Sequence, residues 1–189
     1  MMLQRKLILA STSPRRQFLL REAGFDFIIE KPDADECFPP ELPASQVARF
    51  LALKKAESFR ARIGNEIVLT ADTVVILNNE ILNKPQNRSE AISMLSRLSG
   101  KTHVVITGVC ILSAEKEITF DDATEVTFAS LTSQEIAFYV DKYKPYDKAG
   151  SYGAQDFIGM VGIERINGSY FNVMGLPMHK VYRALKDWA

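Results

Sequence analysis

Two long apolar segments, Thr102–Leu112 and Glu117–Phe128, follow each other with only four residues between them. Both have the β-branched content and the partial alternation of apolar and polar residues that are typical of strands. Strands joined by so short a connection pair antiparallel, because parallel neighbours need a crossover of about a dozen residues or more. The sheet therefore cannot be purely parallel, and the regular strand–helix alternation of a doubly wound fold is excluded.

Shorter helix and strand patterns fill the rest of the chain. Helices are predicted where apolar residues recur at helical spacing behind a capping residue or a proline. They are expected from Pro14 to a stop at Gly24, over Ala44–Ile63, from the Asn87 cap through Leu98, from the Thr132–Glu135 capping box to Tyr143, and from Pro177 onward. The buried face of the first helix is predicted to carry Phe18, Leu19, Leu20 and Ala23. Strands are expected at Arg5–Ala10, Phe25–Glu30, Glu66–Thr70, Thr73–Leu77 and Glu80–Asn83.

Two dipeptides carry hairpin signals. Asn78-Asn79 is predicted to turn the chain back into the following strand. Asn167-Gly168 gives the strongest hairpin signal, between expected strands at Gly162–Ile166 and Ser169–Val173. Loops are expected at Lys31–Pro43 and Tyr146–Gln155. The sequence thus predicts a mixed α/β fold.

Composition restricts the partners and the location. The 189 residues carry 23 basic and 23 acidic side chains, a formal net charge of zero. Proteins that hold long nucleic acids usually carry a basic excess, so such a partner is disfavoured. Cys37 and Cys110 support neither a disulfide framework nor a cysteine metal site. No apolar run approaches the roughly 20 residues of a membrane-spanning helix, and Met1–Leu9 is too short and too polar for a signal peptide. A cytoplasmic protein with no membrane partner is expected.

The start of the first helix suits an anion. Ser13 is a natural cap and Pro14 fits the first helical position, with Arg15 and Arg16 directly behind them. A helix start offers backbone N–H groups and the positive end of the helix dipole, and Ser11 adds a hydroxyl. A phosphate chain is the anion that fits these donors and cations best. The alternative is an ordinary capped surface helix with solvated arginines.

A single aspartate interrupts an apolar region. Asp72 lies between the strands expected on either side of Ala71-Asp72, where a charged side chain is costly to bury unless it is paired or used. One interpretation is a carboxylate that binds a metal or takes a proton from water, with Thr73 bonding to a substrate. The other is a strand-end aspartate that caps a nearby amide.

Two further segments combine charge with small residues. Pro85 holds Lys84 in extended backbone, although this dipeptide taken alone favours a surface lysine before a turn. In Asp147–Gln155 the glycines let a backbone approach a ligand closely, and Gln155 supplies a donor and an acceptor. The alternative for this segment is an ordinary connection. Other polar residues are individually uninformative or expected to be structural: Lys55, Asp33, Asp35, Glu36, His103 and His179.

Taken together, these groups indicate triphosphate chemistry. Hydroxyls, arginines, lysines, a loop acid and one strand aspartate match a substrate with several negative charges, which needs cations and usually a divalent metal. The arginines and Asp72 are therefore expected to come together.

The same motifs resemble a known family, the Maf family of nucleotide pyrophosphatases. The matching segments, in order, are Leu9-Ala10-Ser11-x-Ser13-Pro14-Arg15-Arg16, Ala71-Asp72-Thr73-Val74-Val75, Lys84-Pro85, Leu98–His103, Asp147–Gln155, Asn167–Tyr170 and Val173–Pro177. The resemblance spans nearly the whole chain. It implies a single Maf-like domain over 1–189, with an elongated, bent mixed sheet flanked by helices and two lobes around a central cleft, as in Maf and ITPase-like proteins. It also implies a homodimer.

The resemblance further implies an activity and a site. Family members hydrolyse a nucleoside triphosphate to the monophosphate and pyrophosphate with Mg²⁺ or Mn²⁺. The position matching the catalytic acid is Asp72, and Glu36 with Asp72 would hold the metal. The positions matching the substrate-binding residues are Ser11, Arg15, Arg16, Lys55, Thr73, Lys84, Lys148 and Gln155.

The form of the Asp147–Gln155 motif, Lys148-Ala149-Gly150-x-Tyr152-x-x-Gln155, is similar to the form found in the branch of the family that acts on dTTP and UTP. This resemblance leaves open whether modified pyrimidine nucleotides are also substrates. The sister branch, which prefers 7-methyl-GTP, tends to carry an acid where Gln155 stands. Departures from the family pattern are Asp156 and Lys144, which stand where glycine and glutamate are usual, and Asn83 before Lys84. Rival functions are a nucleotide-binding regulator of cell division and a nucleic-acid-binding module.

Overall fold

The computed structural model describes residues 3–186 and 188. Its strands are β1 Leu7–Leu9, β2 Phe27–Ile29, β3 Ile67–Leu77, β4 Glu80–Leu82, β5 Thr102–Leu112, β6 Glu117–Phe128 and β7 Ile163–Asn167. Its helices are α1 Pro14–Glu22, α2 Ala44–Glu57, α3 Arg88–Leu98, α4 Ser133–Tyr143, α5 Phe157–Gly162, α6 Tyr170–Met174 and α7 Met178–Lys186. A 3₁₀ turn lies at Ala149–Ser151. In the part of the chain described, no helix has both the length and the apolar content to cross a membrane.

The strands form one seven-stranded mixed sheet in the order β2-β1-β3-β5-β6-β7, with β4 paired to β3. β1 pairs parallel with both β2 and β3. β3–β4 and β6–β7 are antiparallel. The predictions of a mixed α/β fold and of a sheet that is not purely parallel are confirmed.

The backbone divides into two compact units. The first comprises Met1–Asp72, Thr107–Asp122 and Gly175–Ala189, and the second comprises Thr73–Ile106 and Ala123–Met174. Within its described residues, the first unit has an apolar core built from β1, α2, β3 and β5, including Ile8, Ala52, Phe59, Val68 and Leu112. The core of the second includes Leu95, Val105, Phe128, Ile136, Tyr139 and Ile158. The single domain over 1–189, whose residues 1, 2, 187 and 189 lie outside the described part, remains a prediction.

Several local predictions are confirmed. Thr132 and Glu135 form a reciprocal capping box at the start of α4, and the Asn87 side chain accepts from Glu90 N–H at the start of α3. Asn78 and Asn79 both adopt positive φ, which is the geometry of a tight hairpin turn. Cys37 and Cys110 are both free thiols.

Other local predictions are wrong. β3 runs unbroken from Ile67 to Leu77 through Ala71-Asp72, pairing with β1 over its first three residues and with β4 over its last three. α2 ends at Glu57 rather than Ile63, in a series of tight turns. Phe18 is 49% exposed, so the buried face of α1 is narrower than its sequence indicates. The short helix α5 was not predicted.

The predicted hairpin at Asn167-Gly168 is also wrong. β7 precedes the turn as expected, but helix α6 follows it. Thr124 Oγ1 accepts from Ser169 N–H at 3.1 Å, and Ser169 Oγ accepts from Asn172 N–H at 3.3 Å. These bonds start a helix where the dipeptide signal favours a returning strand. Asn172 Nδ2 then donates to the Val105 carbonyl at 3.0 Å, which anchors the helix in the second unit.

Candidate active site

A buried lysine joins two carboxylates in the first unit. Lys55 Nζ lies 2.5 Å from Asp72 Oδ1 and 3.0 Å from Glu36 Oε1. The Lys55 and Asp72 side chains are only 9% and 12% exposed. An ammonium this buried costs several kcal/mol unless it is paired, so the two carboxylates and Lys55 depend on one another. Residues from a loop, a helix and a strand therefore meet at one point.

The local sequence explains this meeting. Thr70 Oγ1 donates to the Ala52 carbonyl of α2 at 2.7 Å. Asp72 follows two residues later on the same face of β3, so it also faces α2. On the helix, Lys55 continues the apolar stripe that contains Ala48 and Ala52, at spacings of four and three residues. This spacing places the Lys55 ammonium next to β3.

The neighbouring lysine fixes the loop that carries Glu36. Lys54 Nζ donates to Asp35 Oδ1 at 2.6 Å and to the Cys37 carbonyl at 2.9 Å. Cys37 N–H also donates to Asp35 Oδ1 at 2.7 Å. The Lys54 hydrogen bond, with the Cys37 bonds, lowers the pKa of Asp35 to about 2, so this carboxylate is ionised at neutral pH. Two consecutive lysines thus hold this acidic loop against α2.

Arg16 lies beside the Lys55–Asp72 pair and donates hydrogen bonds to backbone carbonyls. Its Nε donates to the Gly175 carbonyl at 2.8 Å, and its Nη1 donates to the Ala71 carbonyl at 2.9 Å and to Ser11 Oγ at 3.3 Å. Desolvation lowers the pKa of the guanidinium, and the Asp72 charge opposes that effect. The group remains charged because an arginine pKa starts far above neutral pH. The expectation that this arginine and Asp72 come together is correct.

The start of α1 differs from the prediction in one respect. Ser13 occupies the cap position, but its side chain makes no capping hydrogen bond. Ser11 Oγ instead accepts from Ser13 N–H at 3.3 Å. Ser11 is buried, Arg15 is half-buried, and the Arg15 charge acts on Arg16. Of the predicted site residues, the first unit therefore gathers Ser11, Arg15, Arg16, Glu36, Lys55 and Asp72.

The chemistry of the two carboxylates fits a divalent cation. Mg²⁺ is a hard ion that binds through oxygen, usually through one or two protein carboxylates together with substrate phosphates and water. Glu36 and Asp72 supply such a pair, and Lys55 holds them together. Among residues 3–186 and 188, no group of three or more His, Cys, Asp or Glu side chains is arranged to hold a metal. The metal-binding roles of Glu36 and Asp72 stay predictions.

In the second unit, the segment Asp147–Gln155 packs on β3 and on the chain after β4. Gly150 N–H donates to the Asn83 carbonyl at 3.3 Å, directly before Lys84. Gly150 has a φ of +66°, and a Cβ there would lie 2.9 Å from Val75 Cγ1. Only glycine fits this close approach without strain. Thr73 lies two residues before Val75 on the same face of β3.

Four predicted site residues lie on these segments of the second unit. Lys84 and Gln155 are exposed, and Thr73 and Lys148 are half-buried. Lys148 Nζ lies 2.9 Å from Asp147 Oδ1. Pro85 is buried, which anchors the segment that presents Lys84. The roles of Thr73, Lys84, Lys148 and Gln155 in binding stay predictions.

The family resemblance marks Lys55 as a substrate-binding position, but the sequence did not predict that Lys55 joins Asp72 to Glu36. The available signal was a lysine within an apolar helical stripe, which is uncommon unless the charge has a buried partner. His103 agrees with the structural interpretation: its Nε2 lies 2.7 Å from the Tyr152 hydroxyl, and burial lowers its pKa to about 4, so the ring is neutral at pH 7.

Comparisons with known proteins agree with the fold and the motifs. A Ham1 protein from Coxiella burnetii has a similar fold, with a TM-score of 0.52 at 14% identity over 97% of this chain and 100% of that one. A protein of Bacteroides fragilis (strain YCH46) named dTTP/UTP pyrophosphatase is 50% identical over 184 residues, covering 96% of this chain and 95% of the relative. A protein of the same name from Porphyromonas gingivalis (strain ATCC BAA-308 / W83) is 47% identical, covering 97% and 94%. The family model described as Maf-like protein matches residues 6–188. Since this match spans nearly the whole sequence, the chain belongs to the Maf-like family.

Proposed function

We propose that this chain is a nucleoside triphosphate pyrophosphatase that hydrolyses dTTP and UTP to the monophosphate and pyrophosphate. The observation that carries the proposal is the junction of the buried Lys55 and Asp72 side chains with the exposed Glu36 carboxylate, beside the Arg16 guanidinium. A charged junction of this kind is costly to build for stability alone, and its groups match those a polyphosphate requires. The names of the relatives supply the substrates.

The chain's cations would hold the triphosphate. Arg15, the start of α1 and the Ser11 hydroxyl form one group of donors, and Lys55 lies next to it. Arg16 contributes its positive charge, although its Nε and Nη1 groups also hold backbone carbonyls. In the second unit, Lys84 and Lys148 are the cations that we assign to binding substrate phosphates. Fixed charges of this kind stabilise the charge that spreads over the phosphate oxygens during reaction.

The proton step is assigned to Asp72. Its carboxylate takes a proton from a water molecule whose oxygen attacks the α-phosphorus. The bond from the α-phosphorus to the bridging oxygen of the β-phosphate breaks, and pyrophosphate leaves. Lys55 fixes the orientation of the carboxylate through the 2.5 Å contact. A positioned general base contributes about 10²–10⁴ to the rate.

The divalent cation is part of the proposal. Glu36 and Asp72 would hold Mg²⁺ or Mn²⁺, which when bound neutralises phosphate charge and stabilises the leaving pyrophosphate. We further propose that the protein is a cytoplasmic homodimer that removes unwanted nucleotides.

A panel of nucleoside triphosphates, each with Mg²⁺, with Mn²⁺ and with a chelator, tests the function. We expect dTTP and UTP to give the highest kcat/KM, pyrophosphate to be released rather than phosphate, and the chelator to abolish turnover. Preference for 7-methyl-GTP would move the chain to the sister branch. Binding without hydrolysis would favour a nucleotide-sensing regulator. Modified pyrimidine triphosphates belong in the same panel.

Gln155 is assigned to reading the base, with Thr73 in support. The uracil and thymine edges present both carbonyls and an N–H, and an amide can pair with both kinds of group. Replacing Gln155 with glutamate removes the donor, so we expect kcat/KM for dTTP and UTP to fall by about 10–100-fold. CTP should lose less, since its amino group can donate to a carboxylate. Steady-state kinetics on the three nucleotides measure this difference, and equal losses for all three would remove Gln155 from base recognition.

A further inference from the structure

Gln155 sits near the tip of a tight turn in the second unit. Asp156 N–H donates to the Gly153 carbonyl at 3.1 Å, which closes the four residues Gly153–Asp156 into a turn. Gln155 is the third residue of this turn, and its side chain is exposed. The direction in which it points therefore depends on what holds the two ends of the turn.

One buried hydroxyl binds both ends. Tyr139 OH accepts from Gly153 N–H at 3.1 Å and donates to Asp156 Oδ2 at 2.7 Å. Tyr139 belongs to α4 and is fully buried in the core of the second unit. Burial and the Asp156 charge raise the pKa of the phenol, so it keeps its proton and remains a donor. The turn is thus attached to the core through a single oxygen atom.

The Asp156 side chain does not cap the helix that follows it. It is the cap residue of α5, where an aspartate side chain ordinarily accepts from the helix N–H groups, yet it makes no capping bond. Its carboxylate turns instead to Tyr139 and lies 3.7 Å from Lys148 Nζ. Gly153 leaves room for this arrangement, because a Cβ there would lie 2.6 Å from Asp156 Oδ2 and 3.1 Å from Lys148 Cε.

We infer that Tyr139 and Asp156 are positioning residues that set base specificity, by holding the Gly153–Asp156 turn so that Gln155 and Lys148 are presented in one fixed arrangement. The inference rests on the proposed function. A side chain held in advance loses less conformational freedom on binding, and discrimination between similar bases needs accurately placed donors and acceptors. Neither residue needs to touch the nucleotide for this effect.

The test is Tyr139→Phe, which removes the hydroxyl and keeps the buried ring. We expect KM for dTTP and UTP to rise about tenfold, kcat to stay within about twofold, and the preference for these nucleotides over CTP to narrow by about tenfold. The matched control is Tyr152→Phe. Tyr152 is also buried in the second unit, and its hydroxyl pairs with His103 rather than with the turn. This control should lose comparable stability and keep its base preference.

Variants of Asp156 distinguish a role in positioning the turn from a general loss of stability. Asp156→Asn keeps an oxygen that can accept from Tyr139, whereas Asp156→Ala removes the acceptor. We expect the asparagine variant to retain most of the preference for dTTP and UTP, and the alanine variant to resemble Tyr139→Phe. A purely structural role would lower the thermal stability of these variants without changing the ratio of kcat/KM values between bases.

Amide hydrogen exchange gives a readout that does not depend on activity. In Tyr139→Phe, the N–H groups of Gly153 and Asp156 should exchange at least about tenfold faster, while those of β5 keep their protection. Unchanged exchange together with an unchanged base preference would overturn the inference. If the wild-type protein hydrolyses neither dTTP nor UTP, the proposed function is wrong, and the positioning role is then decided by the exchange rates alone.

Discussion

Replacing Asp72 with asparagine is expected to lower kcat for dTTP and UTP by about 10²–10⁴-fold. The amide is nearly the same size and still offers an oxygen to Lys55, so the junction keeps its shape. It cannot take a proton from water, however, and it is a weaker metal ligand. Single-turnover kinetics with pyrophosphate detection measure the loss in the chemical step.

The controls for this variant concern nucleotide binding and the assignment of the proton step. Calorimetry should give a dissociation constant for a non-hydrolysable dTTP analogue within about fivefold of the wild-type value, since the cations that hold the phosphates remain. Glu36→Gln is the matched variant, because Glu36 contacts the same ammonium but has no assigned proton step. Glu36→Gln should weaken metal binding but retain a larger fraction of the wild-type kcat than Asp72→Asn does. An Asp72→Asn variant that keeps most of its kcat would show that the proton goes elsewhere.

Replacing Arg16 with methionine is expected to lower the free energy of unfolding by about 3 kcal/mol or more. The guanidinium supplies hydrogen bonds to the carbonyls of Ala71 and Gly175, both of which belong to buried residues. A buried acceptor left without its donor costs about 1–3 kcal/mol. The change also removes a positive charge that offsets Asp72 and Glu36. Urea denaturation followed by circular dichroism measures the effect.

Arg21→Met is the matched control for that experiment. Arg21 lies on the same helix, is exposed, and contacts the Phe27 ring at 5.7 Å. An exposed contact of this kind contributes about 0.5–1 kcal/mol, so the control should lose no more than that. Equal losses in the two variants would contradict a specific role for Arg16 in holding the backbone. The loss in the free energy of unfolding therefore distinguishes a guanidinium that stabilises the fold from one that only binds a ligand.

The pattern of residues was informative wherever a local interaction decides the structure. The Asn87 cap, the Thr132 capping box and the turn at Asn78-Asn79 depend on groups within a few residues of one another. Their side chains find partners whatever the rest of the chain does, so the sequence predicts them correctly. The same applies to β5 and β6, whose β-branched content and partial alternation of apolar and polar residues favour a strand.

Local reasoning failed where distant contacts compete with it. The Asn167-Gly168 signal is the same in a hairpin and in this protein, but the Thr124 hydroxyl and the Val105 carbonyl recruit Ser169 and Asn172 into a helix. The Ala71-Asp72 step was predicted to be a break between strands, because the residues next to it in the sequence include no partner that neutralises the carboxylate. Lys55, on another element, supplies that partner.

The amino-acid sequence by itself determined the mixed sheet, the longer helices, the caps at Asn87 and Thr132 and the residues that resemble a phosphate-binding enzyme, because these depend on periodicity and on neighbours along the chain. Only the tertiary structure decided that Lys55 joins Asp72 to Glu36, that Arg16 holds two carbonyls, and that Tyr139 holds both ends of the turn carrying Gln155. Each of these contacts joins residues from different elements, and a buried charge or hydroxyl acquires its role only when folding removes water and supplies a specific partner.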